Sequence, residues 1–418
     1  MNCVIISTGD ELVWGLTVNT NASWLSGQLA QMGITCKAHI TVGDDRKILA
    51  EAIIRACGEC ELVLITGGLG PTEDDLTRLS LADALSETLV EDAKAVTWIE
   101  SFFRKLNRPM PASNRLQALR PASAQCVENS AGTAPGLIAK KGATSIYAMP
   151  GVPREMKAMF EKSFAPLLAC QCSGIITRIL KLNTFGAGES WIGEKIADLM
   201  QRDTNPRIGT TVHEGVVSVR IYATGSPDET EKMVLEARRQ IQERLGALIF
   251  SKDQATLEQV LAIMLTESGQ TVATAESCTG GLLAELLTNV PGSSKYFLRG
   301  WVTYSNAAKE EDLGVAPELI NQHGAVSEQV AAAMAKMARQ HAKSDWGIGI
   351  TGIAGPDGGT AEKPVGLVFI AVAGAQETYV RRCQFPGDRA DVRGRAALMA
   401  LTLLRFKMLG LNPDAVLP

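Results

Sequence analysis

Residues 275–281 contain Ser277, Cys278 and Thr279, followed directly by Gly280 and Gly281. An apolar run that predicts a β-strand precedes them, and helical spacing follows them. A hydroxyl or thiol at such a turn can act as a nucleophile, because backbone N–H groups at the helix start can stabilise an oxyanion. The alternative interpretation is that a serine or threonine only caps the helix.

A nucleophile needs a base, and Lys309 is the first candidate. It follows Tyr304, which ends the next apolar run. A lysine in a water-poor cleft can lose its proton near neutral pH and accept one from Ser277, directly or through the Tyr304 hydroxyl. A rival arrangement pairs the thiol of Cys278 with His323. The residue types alone leave both arrangements open.

A third loop, at residues 351–360, holds four glycines and two threonines after another apolar run. Backbone N–H groups in a loop of this composition can contact phosphate or ribose. The loop is long and glycine-dense for a simple turn, which favours ligand contact.

Near the N-terminus, Gly67, Gly68 and Gly70 follow an apolar strand and precede Asp74 and Asp75. Glycines let backbone N–H groups approach an anion. Carboxylates beside such a loop would repel a phosphate unless a divalent cation bridges them. The alternative interpretation is a glycine-rich turn without a ligand.

Three further loops at residues 9–11, 129–136 and 150–155 are also polar or rich in glycine. Ligands of parallel sheets bind at the carboxyl ends of the strands, where several such loops converge. We therefore expect a nucleotide-sized ligand in the first module.

Strand and helix patterns alternate in residues 1–172 and again in residues 253–418. This alternation predicts two α/β modules, and in the first a parallel sheet covered on both faces. Residues 173–252 predict a smaller α+β module, with a helix over 189–203 and two helices against one antiparallel sheet. The middle module shows no catalytic spacing.

Composition excludes several functional classes for this chain of 418 residues, which has 46% hydrophobic and 21% charged residues. No apolar run reaches about 18 residues, so we expect no membrane span. Nine scattered cysteines indicate a reducing, cytoplasmic location. The three segments carry net charges of −2, +1 and −3. None supplies the basic surface that nucleic-acid binding needs.

The N-terminal motifs at residues 7–11, 19–21, 42–45, 66–75 and 132–136 resemble the competence/damage-inducible CinA family. The N-terminal domain of that family is similar to molybdopterin-binding proteins, which implies a three-layer molybdopterin-binding-like fold. It also implies metal-dependent hydrolysis of ADP-ribose to AMP and ribose 5-phosphate. The segments at 275–281, 304–309 and 351–360 resemble the C-terminal domain of the same family, which is similar to nicotinamide mononucleotide (NMN) deamidases.

Carried over by position, the resemblance implies Ser277 as nucleophile, Lys309 as base and Tyr304 as a relay or orienting hydroxyl. The expected NMN-binding residues are Thr279, Gly280, Gly281, Asn306, Thr351, Gly352, Ala354 and Gly355. The expected ADP-ribose-binding residues are Asn19, Gly67, Gly68, Gly70, Thr72, Gly132, Thr133, Pro150 and Gly151. The expected ligands of a divalent metal cation are Asp10, Asp74 and Asp75.

The resemblance therefore implies a bifunctional hydrolase, with a metal cofactor for the first activity, none for the deamidase, and a homodimeric assembly. Two alternatives stay open. One is a molybdopterin-binding enzyme of molybdenum-cofactor biosynthesis. The other is a non-enzymatic accessory protein in competence or the DNA damage response.

Overall fold

The computed structural model describes residues 1–170, 174–252 and 255–418. Two compact units form within the chain: Met1–Arg178 with Ala223–Lys232, and Ile179–Tyr222 with Met233–Pro418. The predicted domain boundaries lie at 172/173 and 252/253, where only residue 252 is among the described residues. Within the described ranges, no helix has the length and apolar character needed to cross a bilayer.

The first module contains eight strands and seven α-helices in its described part. The strands are β1 (Asn2–Thr8), β2 (Thr35–Val42), β3 (Leu62–Thr66), β4 (Leu89–Glu91), β5 (Leu119–Pro121), β6 (Gln125–Val127), β7 (Gly136–Lys141) and β8 (Thr144–Met149). The helices are α1 (Asp10–Val13), α2 (Thr20–Gln31), α3 (Arg46–Glu59), α4 (Thr77–Leu85), α5 (Ala93–Lys105), α6 (Pro153–Met159) and α7 (Ala165–Ala169).

Six of these strands form one sheet in the order β2-β1-β3-β8-β7-β6. Residues of β1 alternate between two cores: Val4 and Ile6 pack on one face, and Cys3 and Ile5 on the other. Helices α3 and α4 supply the first core, whereas α2 and α6 supply the second. The predicted coverage of both faces is therefore confirmed. Parallel strands β2, β1, β3 and β8 end at one edge, where their loops meet.

The middle module folds around a four-stranded sheet in the order β10-β11-β9-β12. Its elements are β9 (Ile176–Thr184), α8 (Glu189–Lys195), β10 (Arg207–His213), β11 (Val216–Gly225), α9 (Pro227–Leu245) and β12 (Ile249–Ser251). The amphipathic spacing of α9 predicted its bounds correctly.

The third module has a five-stranded sheet in the order β14-β13-β15-β16-β17. Its strands are β13 (Val272–Glu276), β14 (Phe297–Val302), β15 (Trp346–Gly352), β16 (Leu367–Ala373) and β17 (Thr378–Gln384). Its helices are α10 (Leu257–Ser268), α11 (Leu282–Thr288), α12 (Asn306–Glu311), α13 (Pro317–His323), α14 (Glu328–Ala342), α15 (Arg389–Met408) and α16 (Pro413–Val416). Gly347 and Gly349 let α14 lie close to β15, because a Cβ at either would come within 2.4 Å of a helix carbonyl oxygen.

The mixed α/β fold class is confirmed, with corrections in detail. The first sheet is not wholly parallel, because β7 pairs antiparallel with both β8 and β6. The predicted helix over 189–203 is too long: α8 ends at Lys195, and a short 3₁₀ turn follows at Ala197–Leu199. The sequence patterns also missed the seven-residue strand β10 and the short strands β4, β5 and β6; strands of three residues carry little periodicity.

Candidate functional site

Ser277 and Lys309 meet in the third module. Ser277 follows β13, and Lys309 lies in α12, whose N-cap Ser305 accepts a hydrogen bond from the N–H of Ala308. The Lys309 Nζ donates to the Ser277 Oγ at 3.1 Å and to the Thr303 carbonyl at 2.8 Å. Because Lys309 is only 1% exposed and Ser277 only 9%, the pair is shielded from bulk water.

No carboxylate faces the Lys309 ammonium among its described hydrogen-bond and ion-pair partners. Burial lowers the pKa of Lys309 below its ordinary value, because the buried site disfavours the charged form. A neutral Nζ has a lone pair that can accept a proton. The pair therefore has the composition and contact of a nucleophile with its base.

Glu276, the last residue of β13, is fully buried and caps α11. Its carboxylate accepts hydrogen bonds from the N–H groups of Gly281 at 3.1 Å, Leu283 at 3.0 Å and Ala284 at 2.8 Å. These donors are then unavailable to a substrate. The N–H of Gly280 is also engaged, since it donates to the Ser277 carbonyl at 3.1 Å.

This arrangement narrows the expectation that the N–H groups at the helix start stabilise an oxyanion. In the described part of the chain, only Cys278 and Thr279 among residues 278–281 have no hydrogen bond from their N–H. The sequence analysis missed Glu276, although an acidic residue ending an apolar strand beside two glycines is a signal for helix capping.

Tyr304 does not contact the pair through any described hydrogen bond. Its ring is 61% exposed, and its hydroxyl accepts a hydrogen bond from Arg389 at 2.8 Å. The same guanidinium donates to the Gly355 carbonyl at 2.7 Å. Arg393, one turn further along α15, donates to the Thr279 carbonyl at 3.1 and 2.7 Å. Two arginines that sequence analysis missed thus brace the loops of the site.

The other predicted NMN-binding residues differ in their exposure and hydrogen bonding. Thr351 uses its hydroxyl to donate to the Ala325 carbonyl at 2.7 Å, and its backbone pairs with Phe369 of β16. Asn306 is exposed at the start of α12. The hydroxyls of Thr279 and Thr303 are buried without a hydrogen-bond partner in the described structure.

The remaining predicted contacts are backbone positions of the two glycine loops. Gly280 is exposed, and a Cβ placed on it would lie 3.5 Å from the Arg393 guanidinium. Gly281 is partly buried. Gly352 ends β15 and is partly buried, whereas Ala354 is 5% exposed and Gly355 is buried.

The rival pair of Cys278 and His323 has little support in the geometry. Burial raises the pKa of the Cys278 thiol to about 12, so the thiolate is scarce at neutral pH. The backbone carbonyl of His323 accepts a hydrogen bond from Lys363 at 2.9 Å. Among the described hydrogen bonds, none joins the His323 ring to Cys278.

A cavity of about 430 Å³ lies at the edge of the first sheet where the parallel strands end. Its lining contains the predicted residues Gly67, Gly68, Gly70, Asp74, Asp75, Thr133, Pro150 and Gly151. Position 67 requires glycine for two reasons. Its φ is +109°, and a Cβ there would lie 2.5 Å from the Thr8 carbonyl oxygen. The four polar or glycine-rich loops that the sequence analysis singled out therefore do converge on this cavity.

Arg78, which sequence analysis missed, lies beneath the glycine loop and is only 5% exposed. Its guanidinium donates to the carbonyl of Leu69 at 2.8 Å and to that of Gly70. Burial lowers the pKa of Arg78 to about 10, so it remains charged at neutral pH. The cavity thus has a fixed cation behind its glycine wall.

Asp10 does not line this cavity among the described residues. Its carboxylate accepts the N–H of Asp44 at 3.1 Å, and the Asp44 carboxylate accepts the N–H of Asp10 at 3.1 Å and the Thr8 hydroxyl at 3.2 Å. The two acids therefore cap each other's loops, and it is Asp44 that lines the cavity.

Asp75 lines the cavity but is committed to its own loop. It accepts hydrogen bonds from the Gly70 N–H at 2.6 Å, the Thr72 N–H at 2.9 Å and the Thr72 hydroxyl at 2.5 Å. Thr72 thus shapes the loop, whereas Asp74 is exposed.

Five carboxylates line the cavity: Glu11, Asp44, Asp74, Asp75 and Glu155. Within the described ranges, no three His, Cys, Asp or Glu residues are grouped so that they could hold a metal ion by themselves. Oxygen donors of this kind fit Mg²⁺, which binds through one or two carboxylates completed by substrate phosphates and water. The donor set fits the expected cation, and the exposed Asp74 is one of its members.

A neighbouring cavity of about 280 Å³ contains Asn19, whose side chain caps α2 by accepting the Ala22 N–H at 3.0 Å. Asn21, part of the 19–21 motif, donates to the Thr66 hydroxyl at 3.0 Å and the Gly151 carbonyl at 2.7 Å. It joins two of the site loops. Gly132 packs against Glu155, where a Cβ would clash.

Comparisons with known proteins cover all three modules. Residues 4–169 match a family described as a "Probable molybdopterin binding domain", residues 180–251 the "Damage-inducible protein CinA KH domain", and residues 254–408 the "CinA C-terminal domain". The sequence analysis did not identify the KH match.

Full-length relatives align over nearly the whole chain. A protein of Caldanaerobacter subterraneus subsp. tengcongensis, named for competence and damage induction, is 43% identical over 98% of this chain and 99% of its own. A CinA-like protein of Kosmotoga olearia is 40% identical over 98% and 100%. The crystal structure of a competence/damage inducible protein from Agrobacterium tumefaciens matches 36% of this chain and 92% of its own, at 41% identity and a TM-score of 0.35. On these full-length identities, the chain belongs to the CinA family of competence/damage-inducible proteins.

Proposed function

We propose that the third module hydrolyses the carboxamide of nicotinamide mononucleotide, giving nicotinate mononucleotide and ammonia. The observation that carries this proposal is the buried 3.1 Å contact between the Lys309 Nζ and the Ser277 Oγ. The substrate itself comes from the family resemblance of the surrounding loops. The geometry supports acyl transfer by a serine with a lysine base.

In the proposed reaction, neutral Lys309 accepts the hydroxyl proton as the Ser277 Oγ bonds to the carboxamide carbon. The tetrahedral intermediate then loses its C–N bond, and the protonated Lys309 donates its proton to the leaving nitrogen, which departs as ammonia. Water next attacks the acyl-enzyme carbonyl while Lys309 accepts a proton from that water. The bond from the acyl carbon to the Ser277 Oγ then breaks, Lys309 returns the proton to that oxygen, and the carboxylate product leaves. The carbonyl of Thr303, which accepts a second Lys309 hydrogen bond, keeps the amine aimed at Ser277.

The N–H groups of Cys278 and Thr279 are the proposed oxyanion donors, because those of Gly280 and Gly281 are already bonded. A single donor of this kind contributes about 3 kcal/mol of transition-state stabilisation in comparable sites. Tyr304 is proposed to orient the nucleotide together with Arg389, since its hydroxyl is bonded to that guanidinium.

The decisive test is ammonia release from NMN by the full chain and two adjacent variants. We expect Ser277→Ala to lose activity by at least about a thousandfold and Cys278→Ala to keep it within about threefold. The reverse pattern would show that the thiol is the nucleophile. Circular dichroism and thermal melting provide the control that both variants fold.

We further propose that the first module hydrolyses ADP-ribose to AMP and ribose 5-phosphate with a divalent cation. A specific observation favours this second activity: a cavity lined by three loop glycines and five carboxylates, with the buried cation Arg78 behind it. A bound cation would neutralise the pyrophosphate charge and activate water. The glycine loop would hold phosphate oxygens through its N–H groups, and the exposed Asp74 is the proposed metal ligand.

Release of AMP from ADP-ribose, with added Mg²⁺ and then with a chelator, tests this second proposal. We expect turnover that the chelator abolishes. Binding of molybdopterin without ADP-ribose hydrolysis would instead favour the molybdenum-cofactor alternative. Salt-sensitive DNA binding without either hydrolysis would favour the accessory role. We propose a cytoplasmic homodimer for both activities.

A further inference from the structure

A third cavity, of about 310 Å³, lies in the second compact unit and shares no lining residue with the two candidate sites. One wall is the loop after β9, a second wall comes from β10 and β11 and the turn between them, and the third comes from α15 and the segment before it. The lining residues are Phe185, Gly186, Ala187, Gly188, Glu189, Val212, Gly215, Val217, Phe385, Arg395 and Met399.

The floor of this cavity consists of tightly packed apolar side chains. Phe185, Val217 and Met399 are 4%, 2% and 7% exposed. Gly215 has a left-handed φ of +83°, and a Cβ there would lie 3.3 Å from the Phe185 ring and 3.5 Å from the Arg395 stem. A larger residue would therefore be strained and would fill the space above the ring. Glycine keeps the cavity open.

Arg395 supplies the one cation of the described lining, and it has no described hydrogen bond or ion pair. The other arginines of α15 are each bonded to a backbone carbonyl: Arg389 to Gly355, Arg393 to Thr279 and Arg405 to Ala247. The nearest acidic lining residue, Glu189, instead accepts the Thr210 hydroxyl at 2.8 Å. The guanidinium of Arg395 is therefore partly buried against apolar side chains and has no described protein acceptor, so it can pair with an anionic ligand.

We propose that this cavity binds a small organic carboxylate with a planar apolar body. The guanidinium fork of Arg395 pairs with the carboxylate through two parallel hydrogen bonds, and the ring lies against Phe185, Phe385 and Met399. The volume is at the lower end of the range for ligand pockets, which suits a single ring. This inference does not depend on either proposed hydrolase activity.

Isothermal titration of the full-length protein with benzoate tests the proposal, with benzamide and acetate as probes of charge and of the ring. We expect saturable benzoate binding, at least tenfold weaker benzamide binding, and at least tenfold weaker acetate binding. Arg395→Gln should weaken benzoate at least tenfold, and Arg395→Lys less than that. Arg202→Gln, at an exposed position of the same unit, is the matched control and should leave the affinity unchanged.

A second variant keeps the test meaningful if Arg395→Gln fails to fold. Phe385→Ala retains the charge and removes a ring, so it should weaken benzoate and leave acetate unchanged. Excess NMN should leave benzoate affinity unchanged in the Ser277→Ala protein. The proposal is overturned if benzamide or acetate matches benzoate, if the Arg395 variants bind benzoate normally, or if NMN displaces it.

Discussion

Replacing Glu276 with Gln should loosen the start of α11 by about 3 kcal/mol. One carboxylate oxygen accepts the N–H groups of Gly281 and Leu283, and the other accepts that of Ala284. A glutamine keeps the shape but has one acceptor oxygen, so at least one of these donors must face an NH₂ group. A buried N–H left unsatisfied costs about 1–3 kcal/mol, and the surviving bonds lose their charge assistance.

Hydrogen exchange followed by mass spectrometry is the suitable assay, because a chain of several modules does not unfold in one two-state step. A local loss of about 3 kcal/mol corresponds to roughly hundredfold faster exchange in the peptide that contains α11. Glu285→Gln makes the same charge change at an exposed position of the same helix and should leave exchange unchanged. Equal effects of the two variants, or unchanged exchange in Glu276→Gln, would refute the assignment of Glu276 as the cap.

Three further predictions concern the proposed catalytic and binding groups. The kcat/KM for NMN should rise as pH increases through the pKa of Lys309, because the neutral amine is the base. Burial lowers that pKa, so the rise should lie below the ordinary lysine pKa. In the same pH series, Lys309→Met should abolish this rise and lower the rate about a thousandfold. Tyr304→Phe should raise KM about fivefold and change kcat less than threefold, because it removes one hydrogen bond to Arg389. A fall in kcat with KM unchanged would instead indicate that the Tyr304 hydroxyl relays a proton. Asp75→Asn should lower the melting temperature by a few degrees because it weakens three loop hydrogen bonds, whereas exposed Asp74→Asn should leave it unchanged and weaken Mg²⁺-dependent AMP release.

Local sequence patterns predicted much of this fold because helix and strand periodicities are local properties. The bounds of α9 and β17 follow from such patterns, and the strand-end position of Ser277 does too. The edge at which several loops meet could also be anticipated, since parallel strands place their carboxyl ends together. That Ser277 and Lys309 lie near each other was an expectation from this rule and the family resemblance, and the structure supplies the 3.1 Å contact.

Side-chain partners were much harder to predict from the sequence. Asp10 and Asp44 are 34 residues apart, and nothing local indicates that they cap each other. Arg78 follows the acidic loop by a few residues and looks like an ordinary helix residue, yet it bonds back to the loop carbonyls. The antiparallel direction of β7 was missed for the same reason, because pairing depends on distant strands.

The acidic residues of the first cavity show why residue type alone overestimates a metal site. Of the three carboxylates expected to bind metal, Asp10 and Asp75 accept hydrogen bonds from donors in the loops. Asp10 accepts from a backbone N–H, and Asp75 accepts from a backbone N–H and a hydroxyl. What remains is a carboxylate-lined cavity with Arg78 buried behind its glycine wall. A pyrophosphate entering it would meet repulsion from the carboxylates, and one guanidinium held by two carbonyls offsets only part of that repulsion. A divalent cation bound together with the pyrophosphate, as we propose, would remove this conflict, because Mg²⁺ is usually held by one or two carboxylates completed by substrate phosphates and water.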